Sequence, residues 1–74
     1  MPQQQKRPTD GRIAKRLIEA RKARGFSQGW LAKRIGVSVG TIQAYEHNRA
    51  QIPLARLQAL ADVLRCDITD LITS

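Results

Sequence analysis

The chain has 74 residues, enough for one domain, and a domain of this length buries only about 60% of the surface its unfolded form exposes, so slender stability is expected. Its one cysteine, Cys66, excludes an internal disulfide, and with one histidine, His47, it falls far short of a four-ligand zinc site. The net charge of +7 is one-sided: residues 1–37 hold ten Lys or Arg against Asp10 and Glu19 (+8), whereas residues 38–74 hold three against Glu46, Asp62, Asp67 and Asp70 (−1). That asymmetry suits one face made for a polyanion, with nucleic acid the economical partner, and an opposite end free of that duty.

Residues 1–8 are Gln-rich, carry Pro2 and Pro8 and have no apolar anchor, which reads as a disordered tail before a folded domain at residues 9–74. Lys6 and Arg7 suit either solubility or a basic arm along a minor groove. The tail lacks the apolar stretch of a secretory signal, and no run approaches the roughly 20 apolar residues of a membrane span, so a cytoplasmic location and no membrane partner are expected.

A first helix is predicted from a cap at Thr9 or Asp10 to Arg24, before Gly25 stops it. Ile13, Leu17, Ala20 and Arg21 share one of its faces, while Arg12, Lys15, Arg16, Glu19 and Lys22 fall mostly elsewhere. A second helix over residues 28–35, begun by Ser27 and Gln28, turns Leu31, Ala32 and Ile35 inward. A third over residues 39–47, capped by Ser38, turns Ile42 and Tyr45 inward. Pro53 suits the first position of a fourth helix, whose Leu57, Leu60, Ala61 and Leu64 make an apolar stripe. Asp67 can cap a short fifth helix carrying Ile68, Leu71 and Ile72. Nothing reads as a strand pair, and no repeat is visible. The expected fold is all-α, five short helices around one small core.

The run Ala32-Lys33-Arg34-Ile35-Gly36-Val37-Ser38-Val39-Gly40-Thr41-Ile42 fits two short helices crossing steeply. Ala32 leaves room for a second helix to approach, Gly36 takes the positive φ of a tight turn, and Ile42 returns an apolar side chain to the same core. This spacing is a helix-turn-helix signature, and its second helix is the one that would enter a DNA groove. Residues 12–72 resemble the phage-repressor-like, or XRE, family of DNA-binding domains. The resemblance rests on Leu17 and Arg21, Gly25-Phe26-Ser27-Gln28, Leu31-Ala32, Gly36-Val37-Ser38, Ile42, Tyr45-Glu46, and Leu60-Ala61 leading to Leu64 and Leu71. It implies a five-helix phage-repressor-like domain that binds double-stranded DNA.

The resemblance implies that Gln28 touches a phosphate beside the groove, fixing register without reading sequence; its bland alternative is to satisfy the start of its own helix. Asn48 and Arg49 correspond to another backbone-contacting segment, against ordinary loop chemistry. Arg21 and Glu46 match a mostly buried family ion pair, which would leave part of the Arg21 guanidinium for phosphate; the other reading is two unrelated surface charges. On the third helix Val39, Gly40, Gln43 and Ala44 face the expected groove, with Ser38 and Thr41 at the margins as backbone contacts. Gln43 alone among them offers the paired donor and acceptor that grip an adenine edge, so shape and deformability of the DNA are expected to share the recognition. His47 near the helix end suits capping or solvent better than a base contact.

Two departures from the family stand out. Arg65 replaces the glycine common after the fourth helix, so that turn either carries a strained residue or takes another shape. Trp30 occupies a position usually polar in the family, either partly packed or touching a phosphate or a protein partner.

The sequence thus points to a stand-alone, sequence-specific transcriptional regulator, a small homodimer on a palindromic operator. Autoregulation through its own concentration or operator arrangement is expected, as in phage repressors or the controllers of mobile elements. Cys66, Ile68 and Ile72 are the candidate dimer contacts, and neither cofactor nor small-molecule ligand is implied. The competing reading is a protein-binding antitoxin or antiactivator that reuses the fold. An enzyme is the weakest reading: Cys66 and His47 have no orienting partner, and paired carboxylates and a phosphate loop are missing.

Overall fold

A computed structural model describes residues 11–72, with five helices among them: α1 (Arg12–Ala23), α2 (Gln28–Ile35), α3 (Val39–Glu46), α4 (Leu54–Val63) and α5 (Ile68–Ile72). The expected caps Thr9 and Asp10, and the tail with Lys6 and Arg7, lie outside the described residues. At the edge of that region α1 opens on Gly11, in a left-handed conformation at φ 87°, whose carbonyl accepts from the Lys15 N–H at 2.9 Å.

Helices α1 to α4 close in the same way. A residue at positive φ follows each of them, namely Gly25 (75°), Gly36 (79°), Asn48 (57°) and Arg65 (59°). In every case the next amide reaches back five residues: Phe26 to the carbonyl of Arg21 (3.1 Å), Val37 to Ala32 (2.9 Å), Arg49 to Ala44 (2.8 Å) and Cys66 to Ala61 (3.0 Å). This is the Schellman closure, which satisfies carbonyls that the helix end would otherwise leave open. The turn after α4 therefore keeps the shape a glycine would take, and Arg65 is the strained residue in it. Asn48 tolerates the same conformation better because its short amide is one of the side chains that visit it.

The helix starts follow from side-chain chemistry. Ser27 Oγ accepts from the Trp30 N–H at 2.9 Å, and Ser38 Oγ accepts from the Thr41 N–H at 3.1 Å. Pro53 sits one position earlier than expected. Its ψ of 148° is extended, and its carbonyl accepts from the Leu57 N–H at 2.9 Å, so it caps α4 rather than opening it. At α5 the side-chain bond runs opposite to the expected Asp67 cap: the Asp70 carboxylate accepts from the backbone N–H of Asp67 at 3.1 Å.

Leu17, Leu31, Ala32, Ile42, Tyr45, Leu60 and Leu64 form the central buried cluster, beside a smaller one of Leu57, Ala61 and Leu71. The two share partly buried Ala20, Ile52 and Cys66. Helix α3 packs on α2 and on α1, α4 packs on α2, and α5 packs on α1 and α4. Tyr45 is buried, and its phenol oxygen accepts from Arg56 Nη1 at 3.0 Å, tying the end of α3 to α4.

Candidate nucleic-acid interface

The polar centre of the fold lies where α1, α2 and α3 meet. Arg21, on the inner face of α1, is 9% exposed, and Glu46, in the last turn of α3, is 5% exposed. Arg21 Nε donates to Glu46 Oε2 at 2.6 Å and Nη2 donates to Oε1 at 3.1 Å, a two-pronged carboxylate contact. Nη1 donates to the Phe26 carbonyl at 2.8 Å, so the same guanidinium also secures the turn between α1 and α2. Each nitrogen of Arg21 thus has a protein partner and the residue is buried. These bonds use three of the five guanidinium N–H groups, and through them Arg21 holds the end of α3 against α1 and the turn that leads into α2.

The network continues to the surface. Gln28, the first residue of α2, donates from Nε2 to Glu46 Oε1 at 2.9 Å, and Gln43 Nε2 donates to Gln28 Oε1 at 3.3 Å. Gln28 does not spend its amide on the start of its own helix, where Ser27 already serves. Sequence reasoning treated Gln28 and Gln43 as separate contacts and missed this link. The signal was the three-residue spacing of Gln43 and Glu46, which puts both on one edge of α3, within reach of a single side chain on α2.

Along the outer edge of α3, Val39 is 45% exposed, and Ser38, Gly40 and Gln43 are exposed as well. Thr41 and Ala44 are half-buried, and the Thr41 hydroxyl shares a 3.0 Å hydrogen bond with that of Ser38. A Cβ built on Gly40 would meet nothing closer than Ser38 Oγ at 3.7 Å, so packing does not demand a glycine there. Asn48, Arg49 and the C-cap His47 are exposed in the loop after α3, and Asn48 Nδ2 lies 4.0 Å from where a Cβ on Gly11 would stand. The start of α1, the start of α2, α3 and its following loop thus border one surface.

Trp30 stands elsewhere. Its ring stacks on Phe26 with centroids 4.1 Å apart and an interplanar angle of 27°, and the Arg34 guanidinium lies 5.6 Å from its centroid. Of the apolar candidates at the other end, Cys66 and Ile68 are half-buried against the core and Ile72 is 44% exposed. Burial pushes the Cys66 thiol above its ordinary pKa, the charges of Asp70 and Asp67 push the same way, and Arg24 opposes them. The described residues hold no group of three His, Cys, Asp or Glu able to bind a metal ion, and no helix long and apolar enough to cross a membrane.

Two short helices joined by a glycine turn, the second carried on a buried ion pair with its polar edge outward, define a helix-turn-helix domain. A family model described as helix-turn-helix matches residues 17–71, and the chain belongs to that family, the XRE-type, phage-repressor-like group of DNA-binding transcriptional regulators. An uncharacterized transcriptional regulator from the ATPase CF(0) region of Rhodospirillum rubrum is 39% identical over 59 residues, which are 80% of this chain and 55% of that protein. The chain therefore spans about half the length of that curated relative. Among solved structures, the restriction-modification controller protein C.AhdI of Aeromonas hydrophila superposes with a TM-score of 0.79 at 28% identity, covering 82% of this chain and 92% of that one. The c2 repressor of P22, solved with a synthetic operator, gives 0.77 at 28% identity over the same shares. SinR, a master regulator for biofilm formation solved with DNA, gives 0.74 at 28% identity, covering 80% of this chain and 95% of that one.

Proposed function

We propose that this chain is a sequence-specific, DNA-binding transcriptional regulator that acts as a homodimer on a palindromic operator and controls its own promoter. The observation that carries this reading is the single surface formed by Gln28, the outer edge of α3 and the Asn48-Arg49 loop, held from beneath by Arg21 and Glu46. On such a surface Gln28, Ser38, Thr41, Asn48 and Arg49 take the phosphates that set register, while Val39, Gly40, Gln43 and Ala44 face the base edges. Val39 and Ala44 suit thymine methyl groups, and Gln43 supplies directed hydrogen bonds. The SinR and c2 repressor structures, both solved with DNA, support a DNA partner, and the second helix of a helix-turn-helix is the one that lies in the major groove. Cys66, Ile68 and the exposed Ile72 sit at the end of the chain without excess positive charge, which suits contact with a second copy.

Titrating duplexes at several salt concentrations tests this reading. Random duplex is expected to bind weakly and with steep salt dependence, and one palindromic site, with half-sites about one helical turn apart, much more tightly. Affinity that stays flat from low to physiological salt would defeat the DNA reading and leave the protein-binding alternative, an antitoxin or antiactivator.

A further inference from the structure

Trp30 and Arg65, far apart in the chain, meet in space. They line one cleft of about 390 Å³ together with Arg24 at the end of α1, Phe26 in the turn that follows, Arg34 one turn further along α2, and Asp62 near the end of α4. Its floor is apolar: the Phe26 and Trp30 rings stack with centroids 4.1 Å apart, and half-buried Val63 continues the lining. Its rim is charged. Arg24, Arg34 and Arg65 are all exposed, and the cleft sets them against the single carboxylate of Asp62. Among the described residues none of the three arginines has a carboxylate within ion-pair distance. The Arg34 guanidinium lies over the indole at 5.6 Å, which restrains it before any partner arrives and lowers the ordering cost of a carboxylate contact. Arg65 stands at φ 59°, a conformation that glycine would take without strain.

We propose that this cleft docks an acidic segment of a partner protein, with its carboxylates on the three arginines and an apolar or aromatic side chain on the exposed edge of the indole. Charge complementarity selects this occupant. A duplex fits less well, because a phosphate backbone gains nothing from the Phe26 and Trp30 floor and is repelled by Asp62. The cleft lies on the side of α2 away from Gln28, so it is a second surface and the inference does not rest on the DNA-binding reading. Filled together, the two surfaces tether the partner beside bound DNA.

The experiment is selection of random short peptides, displayed on phage, against the whole chain, followed by affinity measurements on the enriched peptides. Enriched sequences are expected to combine several Asp or Glu with an aromatic or aliphatic residue. Arg65→Gly and Arg65→Asn both suit the left-handed turn and should weaken these peptides about fivefold, the upper worth of one partly exposed charge pair; Arg34→Ala should do the same. Trp30→Ala should weaken them about tenfold. Arg49→Ala, which removes the same charge from the edge proposed for DNA, should change their affinity by less than about twofold, and random duplex at low salt should not displace them. Thermal melts establish that folded variants are compared. Because Arg65→Gly relieves backbone strain, its loss of peptide binding is expected to accompany a melting temperature at or above that of wild type. Enrichment of no acidic peptide, unchanged affinity in both Arg65 variants, sensitivity to Arg49→Ala, or displacement by duplex each overturns the proposal. Duplex affinity that falls about fivefold in Arg65→Gly would give the cleft to a DNA backbone and overturns it as well. If wild type binds no duplex, the DNA reading fails while the peptide measurements still decide the cleft.

Discussion

Arg21 and Glu46, 25 residues apart in the chain, meet through two hydrogen bonds at a point where both are almost wholly buried, so the recognition helix is attached to the domain by a charge pair rather than by apolar packing alone. Removing one partner strands the other charge in a poorly solvated place, at about 3–5 kcal/mol. A domain of this size has little more than about 5 kcal/mol in total. Glu46→Ala is therefore expected to be largely unfolded near 37 °C and to lose DNA binding for that reason. Arg21→Ala should resemble it, and because it also frees the Phe26 carbonyl it should be no milder. The double variant should be less destabilised than the sum of the two singles, since neither charge is then left alone. Urea melts of the four proteins check this, and a fully stable Glu46→Ala would show that water reaches the pair.

The turn after α4 stores strain that can be released. A side chain in the left-handed region costs roughly 1–2 kcal/mol, while glycine raises the entropy lost on folding by about 0.5–1 kcal/mol. The first effect is the larger, so Arg65→Gly is expected to stabilise the protein by about 0.5–1 kcal/mol. Asn48→Gly, at the same place in the closure of α3, should gain less because asparagine is strained less there. Thermal melts of both variants decide it, and no gain from Arg65→Gly would mean that its side-chain contacts offset the strain.

These two sites also mark what the residues disclosed and what they did not. The starts of α2 and α3 were legible because Ser27 and Ser38 cap them by local chemistry, and Gly36 announced the turn between them. The apolar stripe of α4 was legible from its period. Arg65 left two turn shapes open because nothing local says whether a non-glycine residue will accept strain; the Cys66 amide bonding to Ala61 settles it, with the surrounding packing. Pro53 was misplaced by one residue because its fixed φ suits both the cap and the first helical position, and only ψ separates them. One of Arg21's three hydrogen bonds was hidden for a similar reason: it goes to the backbone carbonyl of Phe26, which no side-chain pattern reveals.

Cys66 gives a pH-dependent expectation. Burial and then the charges of Asp70 and Asp67 raise its pKa, so at neutral pH it is a protonated, poorly nucleophilic thiol. Alkylation by iodoacetamide at pH 8 is expected to be slower in the folded protein than in urea. A folded-state pKa above the unfolded value means that the group's contribution to stability is present below the unfolded pKa and is lost as pH rises through the folded one. The urea midpoint should therefore fall on the alkaline side, and Cys66→Ala should remove part of that fall. Equal alkylation rates in the folded and unfolded protein would place the thiol in open solvent.

Trp30 separates a packing role from a phosphate contact. Two positions along α2 from Gln28 correspond to about 200° around the helix, so the indole lies on the side away from the edge that reaches Glu46 and Gln43. What Trp30 touches there is Phe26 and the Arg34 guanidinium. A stacked aromatic pair is worth about 0.5–1.5 kcal/mol and an exposed cation–π contact about 0.5–1 kcal/mol. With the indole still 43% exposed, the total should stay near the lower part of that range, and Trp30→Ala is expected to destabilise the domain by about 1–2 kcal/mol. Duplex affinity, measured at a temperature where both proteins are folded, should change by less than about twofold, because no phosphate contact on this side of α2 is removed. Trp30→Phe should recover most of the stability by keeping the stack. A Trp30→Ala protein with an unmoved melt and uniformly weakened binding to all duplexes would instead put the indole N–H on the DNA backbone, and α2 would then meet the phosphates through the opposite face from Gln28.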